Sequence, residues 1–156
     1  VRGRRRTHLV TGYVHKAYPR VYAMLARHAG FDSALIVRGV EGGVIPALVQ
    51  AGKAFRYQDG GAESLVEFTP AHLGIAPAAR APGSAEGAIS AAAAAEAGLA
   101  VLSGAPGAAR DSLVYGAALC LWHLGRHASL AAAATAARAA LDDGTALARF
   151  RAPQQL

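Results

Sequence analysis

Ser33-Ala-Leu-Ile-Val-Arg-Gly-Val-Glu-Gly-Gly-Val-Ile45 decides how this chain folds. Its first part, Ser33 to Arg38, is an apolar run closed by one arginine, the composition of a strand buried on both faces. Gly39, Gly42 and Gly43 then turn the chain into a loop. Open α/β sheets place their ligands at the carboxyl ends of their strands, so this loop is the first candidate for a site. Upstream, His8-Leu-Val-Thr-Gly12 reads as a second strand. Between the two, a helix starts near Tyr18, with Pro19 in the first turn, where a missing N–H costs little. Tyr18, Val21, Tyr22, Leu25 and Ala29 recur at helical spacing and predict its buried face. Gly30 is placed to end that helix in the left-handed conformation. Strand, helix and strand with short links predict a parallel βαβ unit.

Downstream the pattern changes. Ala54-Phe-Arg-Tyr57 and Ser64-Leu-Val-Glu-Phe68 flank Asp59-Gly60-Gly61 and predict a β-hairpin. Thr69 to Ile75 reads as a short helical turn, and Ala76 to Gly83 as a loop by its Pro and Gly content. Ser84, or a residue just after it, caps a helix running through the alanines to about Ala97. Ala105-Pro-Gly107 breaks the chain again. Asp111 or a near neighbour caps a helix holding Leu113, Val114, Ala117, Ala118, Leu121 and Leu124, because a carboxylate there accepts from exposed amides and opposes the dipole. Ser129 caps the next helix, Ala131 to Leu141, which stops near Gly144. The expected product is one α/β domain, residues 8–150, with a small mixed, mostly parallel sheet flanked by helices. A basic tail, 1–7, and a short tail, 151–156, lie outside it.

The 156 residues suffice for one domain with a real core, and 53% apolar composition favours folding over disorder. No apolar run of about 18 residues escapes interruption by Arg, Gly or His, so no membrane span is expected. Arg2 to Arg6 resemble the charged start of a signal peptide, but no apolar core follows. Cys120 is the single cysteine, so no intrachain disulfide can form, which fits a reducing cytoplasm. Its neighbours, Leu119, Leu121 and Trp122, mark it as core filler.

Charge is distributed unevenly. Residues 1–60 carry eight Arg and two Lys against Asp32, Glu41 and Asp59, a net +7, while residues 61–156 carry six Arg against seven acids, a net −1. The overall +6 therefore belongs to the first part of the chain, which suggests an anionic partner such as nucleic acid. Arg2, Arg4, Arg5, Arg6, Lys16, Arg20, Arg27 and Arg38 form that constellation. Arg20 and Arg27 are two helical turns apart and share a face, with Lys16 just before it, a stripe able to meet phosphates without reading bases. Tyr13, Tyr18 and Tyr22 could add stacking, although core packing explains the latter two better. The plain alternative is a solvated basic surface.

Other motifs carry less. His123 and His127 have the i, i+4 spacing of two zinc ligands, but no third ligand is near, and a helix C-terminus favoured by cations explains them better. Gly104-Ala-Pro-Gly-Ala-Ala-Arg-Asp111 looks like a phosphate loop without the Lys-Ser/Thr that would follow one, so it reads as a capping turn. The serines offer no nucleophile elbow and no paired base.

The order of these pieces resembles the latter half of the anthranilate phosphoribosyltransferase family. Leu9-Val-Thr-Gly-Tyr13, Ala34-Leu-Ile-Val-Arg-Gly39, Glu41-Gly42, Leu102 to Asp111 and Ala140-Leu-Asp-Asp-Gly-Thr-Ala-Leu147 carry the likeness, from about Leu9 to Phe150. Thr11 to His15 and Arg38 to Gly42 look closer to a DNA-binding paralogue branch. The resemblance implies a truncated C-terminal domain. A full-length member would begin with a helical dimerisation domain and a Gly-rich loop that wraps the pyrophosphate of the donor, both upstream of the part this chain resembles. The corresponding loop in the family runs His-Gly-x-Asp-Gly-x-Asp-Glu, and its last two acids hold a metal on the phosphoribosyl donor. Here those slots fall on Val44 and Ile45. The ligand loop, Gly39, Glu41, Gly42 and Gly43, therefore keeps one acid, with no catalytic or metal residue assigned. The expected protein is a catalytically incomplete paralogue, needing no cofactor, that binds nucleic acid non-specifically through its basic N-terminal residues and, where truncation exposes surface that a helical domain would cover, self-associates or is unstable. The alternative is the C-terminal domain of an active transferase using phosphoribosyl pyrophosphate and Mg.

Overall fold

The computed structural model describes residues 6–59, 61–76 and 90–152. Four strands form one sheet in the order β1 (His8–Gly12), β2 (Ser33–Val37), β3 (Gly52–Gln58) and β4 (Ser64–Phe68). β1 and β2 are parallel, Val10 beside Leu35, and helix α1 (Tyr18–His28) crosses between them. β2–β3 and β3–β4 are antiparallel, so the sheet is mixed, with its parallel part confined to the βαβ unit. The rest is helical: α2 (Ala91–Leu102), α3 (Ala108–His123), α4 (Leu130–Asp142) and α5 (Thr145–Arg151). Among the described residues no helix is long and apolar enough to cross a membrane.

Strand β2 explains the two-layer packing. All five of its residues are buried, and alternate side chains serve opposite faces. Leu35 and Val37 join Ala54, Phe68, Val114, Tyr115, Ala118 and Leu119 in the core beneath α3 and α4. The Tyr115 ring stands edge-on to Phe68 at 5.8 Å. Each large side chain fully removed from water there contributes about 1.5–3 kcal/mol. Ala34 and Ile36 point the other way, to Tyr13, Tyr57 and the Ala23 and Ala26 positions of α1. Ala133, Ala134 and Ala137 are buried on α4, where their small side chains let α4 lie close to α3.

Several details depart from the sequence reading. The buried positions of α1 are Pro19, Ala23 and Ala26, while Tyr18, Val21 and Leu25 are exposed and Tyr22 is half-buried. The spacing is helical, but small residues allow α1 to sit close on the sheet, and the bulkier stripe is rotated outward. Helix α2 continues through Gly98 to Leu102 instead of ending near Ala97, because Gly98 sits on an open surface and breaks nothing. Its cap is Ser90, whose Oγ accepts from the Ala93 amide at 3.1 Å. Ser84 and most of the loop before it lie outside the described residues. Gly107 precedes α3, so Asp111 opposes the dipole from the first turn without capping it. Ser129 does cap α4. Gly144 stops α4 and also starts α5, a short helix absent from the sequence reading. Arg6 and Thr7 are tied to the domain: Arg6 pairs with Asp59, and the Thr7 amide donates to Asp32 Oδ2 at 2.8 Å. Residues 1–5 lie outside the described part.

Candidate functional site

The carboxyl ends of β1 and β2 meet at the glycine loop. The Tyr13 amide donates to the Val37 carbonyl at 3.0 Å, which carries the pairing with β2 one residue past the end of β1. A single 3₁₀ turn, Val40–Gly42, follows, closed by Gly43 N–H to the Val40 carbonyl at 2.8 Å and Val40 N–H to the Ile45 carbonyl at 2.9 Å. Gly39 has φ −92°, open to any residue, yet a Cβ there would collide with the Gly43 carbonyl. A Cβ on Gly12 would likewise strike the Gly42 and Gly43 carbonyls. Gly42 has φ +81° and lies against Val14. Close approach of backbone to backbone, more than turn conformation, is what requires glycine at 12 and 39.

The two positions that resemble the family's metal-holding acids have different fates. Val44 is exposed. Ile45 is half-buried and reaches α3 at Gly116, where an added Cβ would come within 3.1 Å of Ile45 Cγ1. An aliphatic side chain at 45 thus fastens the loop to the helix, and the missing Cβ of Gly116 makes room for it. Oxygen donors for a divalent cation are lacking at both positions, and no group of three or more His, Cys, Asp or Glu able to hold a metal occurs among the described residues. The residues present do not fit the Mg site that the resemblance implies.

The basic constellation divides into two sets. Arg6 is held by Asp59, and Arg27 donates to the Gly61 carbonyl at 2.5 Å while its guanidinium lies 4.9 Å from the centre of the Tyr57 ring. Lys16, Arg20 and Arg38 are exposed, and their side chains have no ion-pair or hydrogen-bond partner among the described residues. All three follow strand carboxyl ends: Lys16 after β1, Arg20 in the first turn of α1, and Arg38 immediately before Gly39. Arg4 and Arg5 lie outside the described residues. The aromatic expectations reverse. Tyr13 is buried against Phe55 and cannot stack on a ligand, whereas Tyr18 is exposed, stacked on Tyr22 at 5.9 Å and edge-on to His15 at 5.3 Å.

A second polar cluster, not read from the sequence, lies at the amino end of the same strands. Ser33 Oγ sits between His8 Nδ1, 2.6 Å away, and His123 Nε2, 2.9 Å away. So a serine is paired with imidazoles after all, across 90 positions of sequence that no local motif spans. Both Ser33 and His123 are buried, at the end of the sheet opposite the glycine loop. The arrangement joins the end of α3 to β1 and β2 and presents no exposed nucleophile. Burial pushes the His123 imidazole down to about 4, and the charges of Arg56 and His8 push the same way. His123 is therefore neutral at pH 7. It is also the last residue of α3, so His127 falls beyond the helix and the two do not share a face as helical neighbours. The Arg56 guanidinium lies 4.1 Å from the centre of the Trp122 ring, a cation–π contact that closes this end of the core. Cys120 is half-buried on α3, and burial pushes its thiol up, away from the reactive thiolate.

A mixed sheet with one βαβ unit, a glycine loop at its carboxyl edge and a helical flank defines an α/β domain. The chain belongs to the glycosyl transferase family, as its a/b domain, whose family model matches residues 3–147. The fold is similar to that of anthranilate phosphoribosyltransferase from Thermus thermophilus, with a TM-score of 0.68, 22% identity, and coverage of 87% of this chain and 39% of that one. The Saccharomyces cerevisiae enzyme, solved as a variant with Mg bound, gives a TM-score of 0.67 at 18% identity, covering 90% of this chain and 40% of that one. The same yeast enzyme in complex with 4-fluoroanthranilate gives 0.65 at 17% identity, with coverage of 90% and 40%. The chain thus spans about two fifths of the length of these solved structures. Comparison with curated protein sequences finds no match.

Proposed function

We infer that this domain is a phosphoribosyltransferase-like member of its family that lacks the metal-assisted chemistry and uses its basic carboxyl edge to bind nucleic-acid backbone without sequence preference. One observation carries the reading: Lys16, Arg20 and Arg38 stand exposed, their side chains without a partner among the described residues, beside a glycine loop where Val44 and Ile45 take the slots of the family's metal-holding acids. Cations without carboxylate partners are free to replace counterions on a phosphate backbone. Exposed Tyr18, close to Arg20, offers a ring for an unpaired base.

Titration of the 156-residue chain with fluorescent single-stranded and duplex DNA tests this. Three phosphate contacts give a log–log salt slope near −2.7, so raising salt from about 50 to about 200 mM weakens binding roughly 40-fold. The Lys16→Ala/Arg20→Ala/Arg38→Ala variant loses most of that slope and binds roughly 10- to 100-fold more weakly at low salt. Absence of binding at low salt, or a triple variant that binds as the parent does, refutes the reading. Formation of phosphoribosyl anthranilate by this polypeptide with Mg would refute the other half of it and establish the transferase alternative.

A further inference from the structure

We propose that Ser33 couples the two imidazoles it touches into a proton-linked switch: when His8 on β1 takes up a proton, the neutral His123 ring at the end of α3 changes tautomer, from N–H at Nε2 to N–H at Nδ1. His8 Nδ1 lies 2.6 Å from Ser33 Oγ, and His123 Nε2 lies 2.9 Å from the same oxygen. The two rings stand edge-on, with centroids 6.3 Å apart and planes at 88°. A hydroxyl has one proton to give, and a neutral imidazole carries an N–H on one nitrogen and a lone pair on the other. Ser33 can therefore donate to one ring only, and the other ring must present an N–H to it. Two lone pairs facing the hydroxyl would leave one of them unmet, and two N–H groups would leave the hydroxyl proton unmet. Either mismatch is costly here, because Ser33 and His123 are buried and Oγ has no third partner among the described residues. The rings thus hold opposite forms at the two atoms that face Ser33.

The far side of His123 decides which ring donates. Its Nδ1 is buried with no hydrogen-bond partner among the described residues. Arg56 on β3 donates to the His123 carbonyl at 3.5 Å, so a cation stands beside this residue. With that neighbour, a lone pair on Nδ1 costs less than a buried N–H that nothing receives. While His8 is neutral, His123 Nε2–H therefore donates to Ser33, and Ser33 donates to His8 Nδ1. A proton added to His8 removes the lone pair that accepted from Ser33. His8 then donates, the Ser33 hydroxyl turns to His123 Nε2, and that nitrogen must become an acceptor. One proton is gained overall, on His8. His123 loses one at Nε2 and takes one at Nδ1, by exchange with solvent when the buried site opens. Burial keeps the His123 ring neutral down to about pH 4, and the charges acting on it are those of Arg56 and His8, so it answers as a neutral ring. The other charged groups sit at the outer end of the chain of bonds: Asp32 Oδ2 accepts from the Thr7 amide, and Arg6 pairs with Asp59. With His8 charged, the chain ends in an unmet N–H, so the bond between β1 and the end of α3 is weaker in that state.

Side-chain ¹⁵N NMR of the histidines in the whole 156-residue chain tests the proposal, followed from about pH 8 to about pH 5. Imidazole nitrogens bearing a hydrogen and those bearing a lone pair resonate far apart, so the spectrum reads each tautomer directly. The expected result is an inversion: His123 Nε2 passes from mostly N–H to mostly lone pair in step with proton uptake by His8, while His123 itself stays neutral. Ser33→Ala removes the shared hydroxyl, and His123 then keeps one tautomer throughout. His8→Gln keeps a hydrogen-bonding group on β1 without a titration, and it also fixes the His123 tautomer; it decides the matter if Ser33→Ala fails to fold. A His123 tautomer that stays constant while His8 is protonated overturns the proposal. So does an inversion that survives in either variant.

Discussion

Alanine at Gly39 is expected to destabilise the domain by about 3 kcal/mol or more, against about 1 kcal/mol of stabilisation for alanine at Gly98. The two substitutions add the same methyl group. At Gly39 the backbone lies in a region any residue adopts, so conformational entropy is not the issue. The new Cβ would overlap the Gly43 carbonyl, a backbone atom fixed by the turn that Val40 and Gly43 close. Relief requires opening the 3₁₀ turn, which detaches Ile45 from Gly116 and loosens the loop from α3. At Gly98 nothing lies within 4 Å, and the position is an exposed helix interior, where alanine lowers the entropy lost on folding. In a domain of this size the pair should separate by roughly 10 °C or more in Tm, measurable by circular dichroism melting. Equal melting temperatures would show that the loop does not depend on the close approach of Gly39 to Gly43. The same experiment bears on function, because Arg38 precedes Gly39 directly and its position depends on this turn.

The glycine loop and the βαβ unit were legible because their signals are local. An apolar run, a Pro at a helix start and glycines after a strand each constrain a few neighbouring residues. The orientation of α1 was not legible, since Tyr18, Val21 and Leu25 and the observed Pro19, Ala23 and Ala26 both follow helical spacing. Only the closeness of helix to sheet selects the smaller set. Counting charges located the basic surface but not its free members. Arg6 and Arg27 find partners on β3 and in the hairpin turn, tens of residues away, leaving Lys16, Arg20 and Arg38. At the carboxyl edge, the aliphatic pair was visible as a departure from the family's loop. The reason Ile45 suits its place, a missing Cβ at Gly116, required the fold. Ser33 and His123 were beyond reach for the same reason.

His123 supplies the second large effect, a loss of stability in acid. The groups facing it are His8 from β1, Ser33 from β2 and Arg56 from β3, so a proton added to its ring meets first the Arg56 guanidinium and, among the described residues, no carboxylate. Its Nδ1 is buried with no hydrogen-bond partner among the described residues, which deprives the charged form of the acceptor it would need. In the unfolded chain the imidazole takes up a proton near 6.5, whereas the folded domain refuses it until about 4. Between those values the unfolded state binds more protons, so stability is complete above about 6.5 and falls as pH drops toward 4. The interval corresponds to about 3 kcal/mol at its limit, of which urea denaturation at pH 7 and pH 4.5 should detect about 2–3 kcal/mol. His123→Gln keeps an amide able to reach Ser33 Oγ and removes the titration. That variant should be less stable at neutral pH yet lose much less on acidification. If its stability falls with pH as steeply as the parent's, His123 is not the group that senses acid, and carboxylates elsewhere carry the effect.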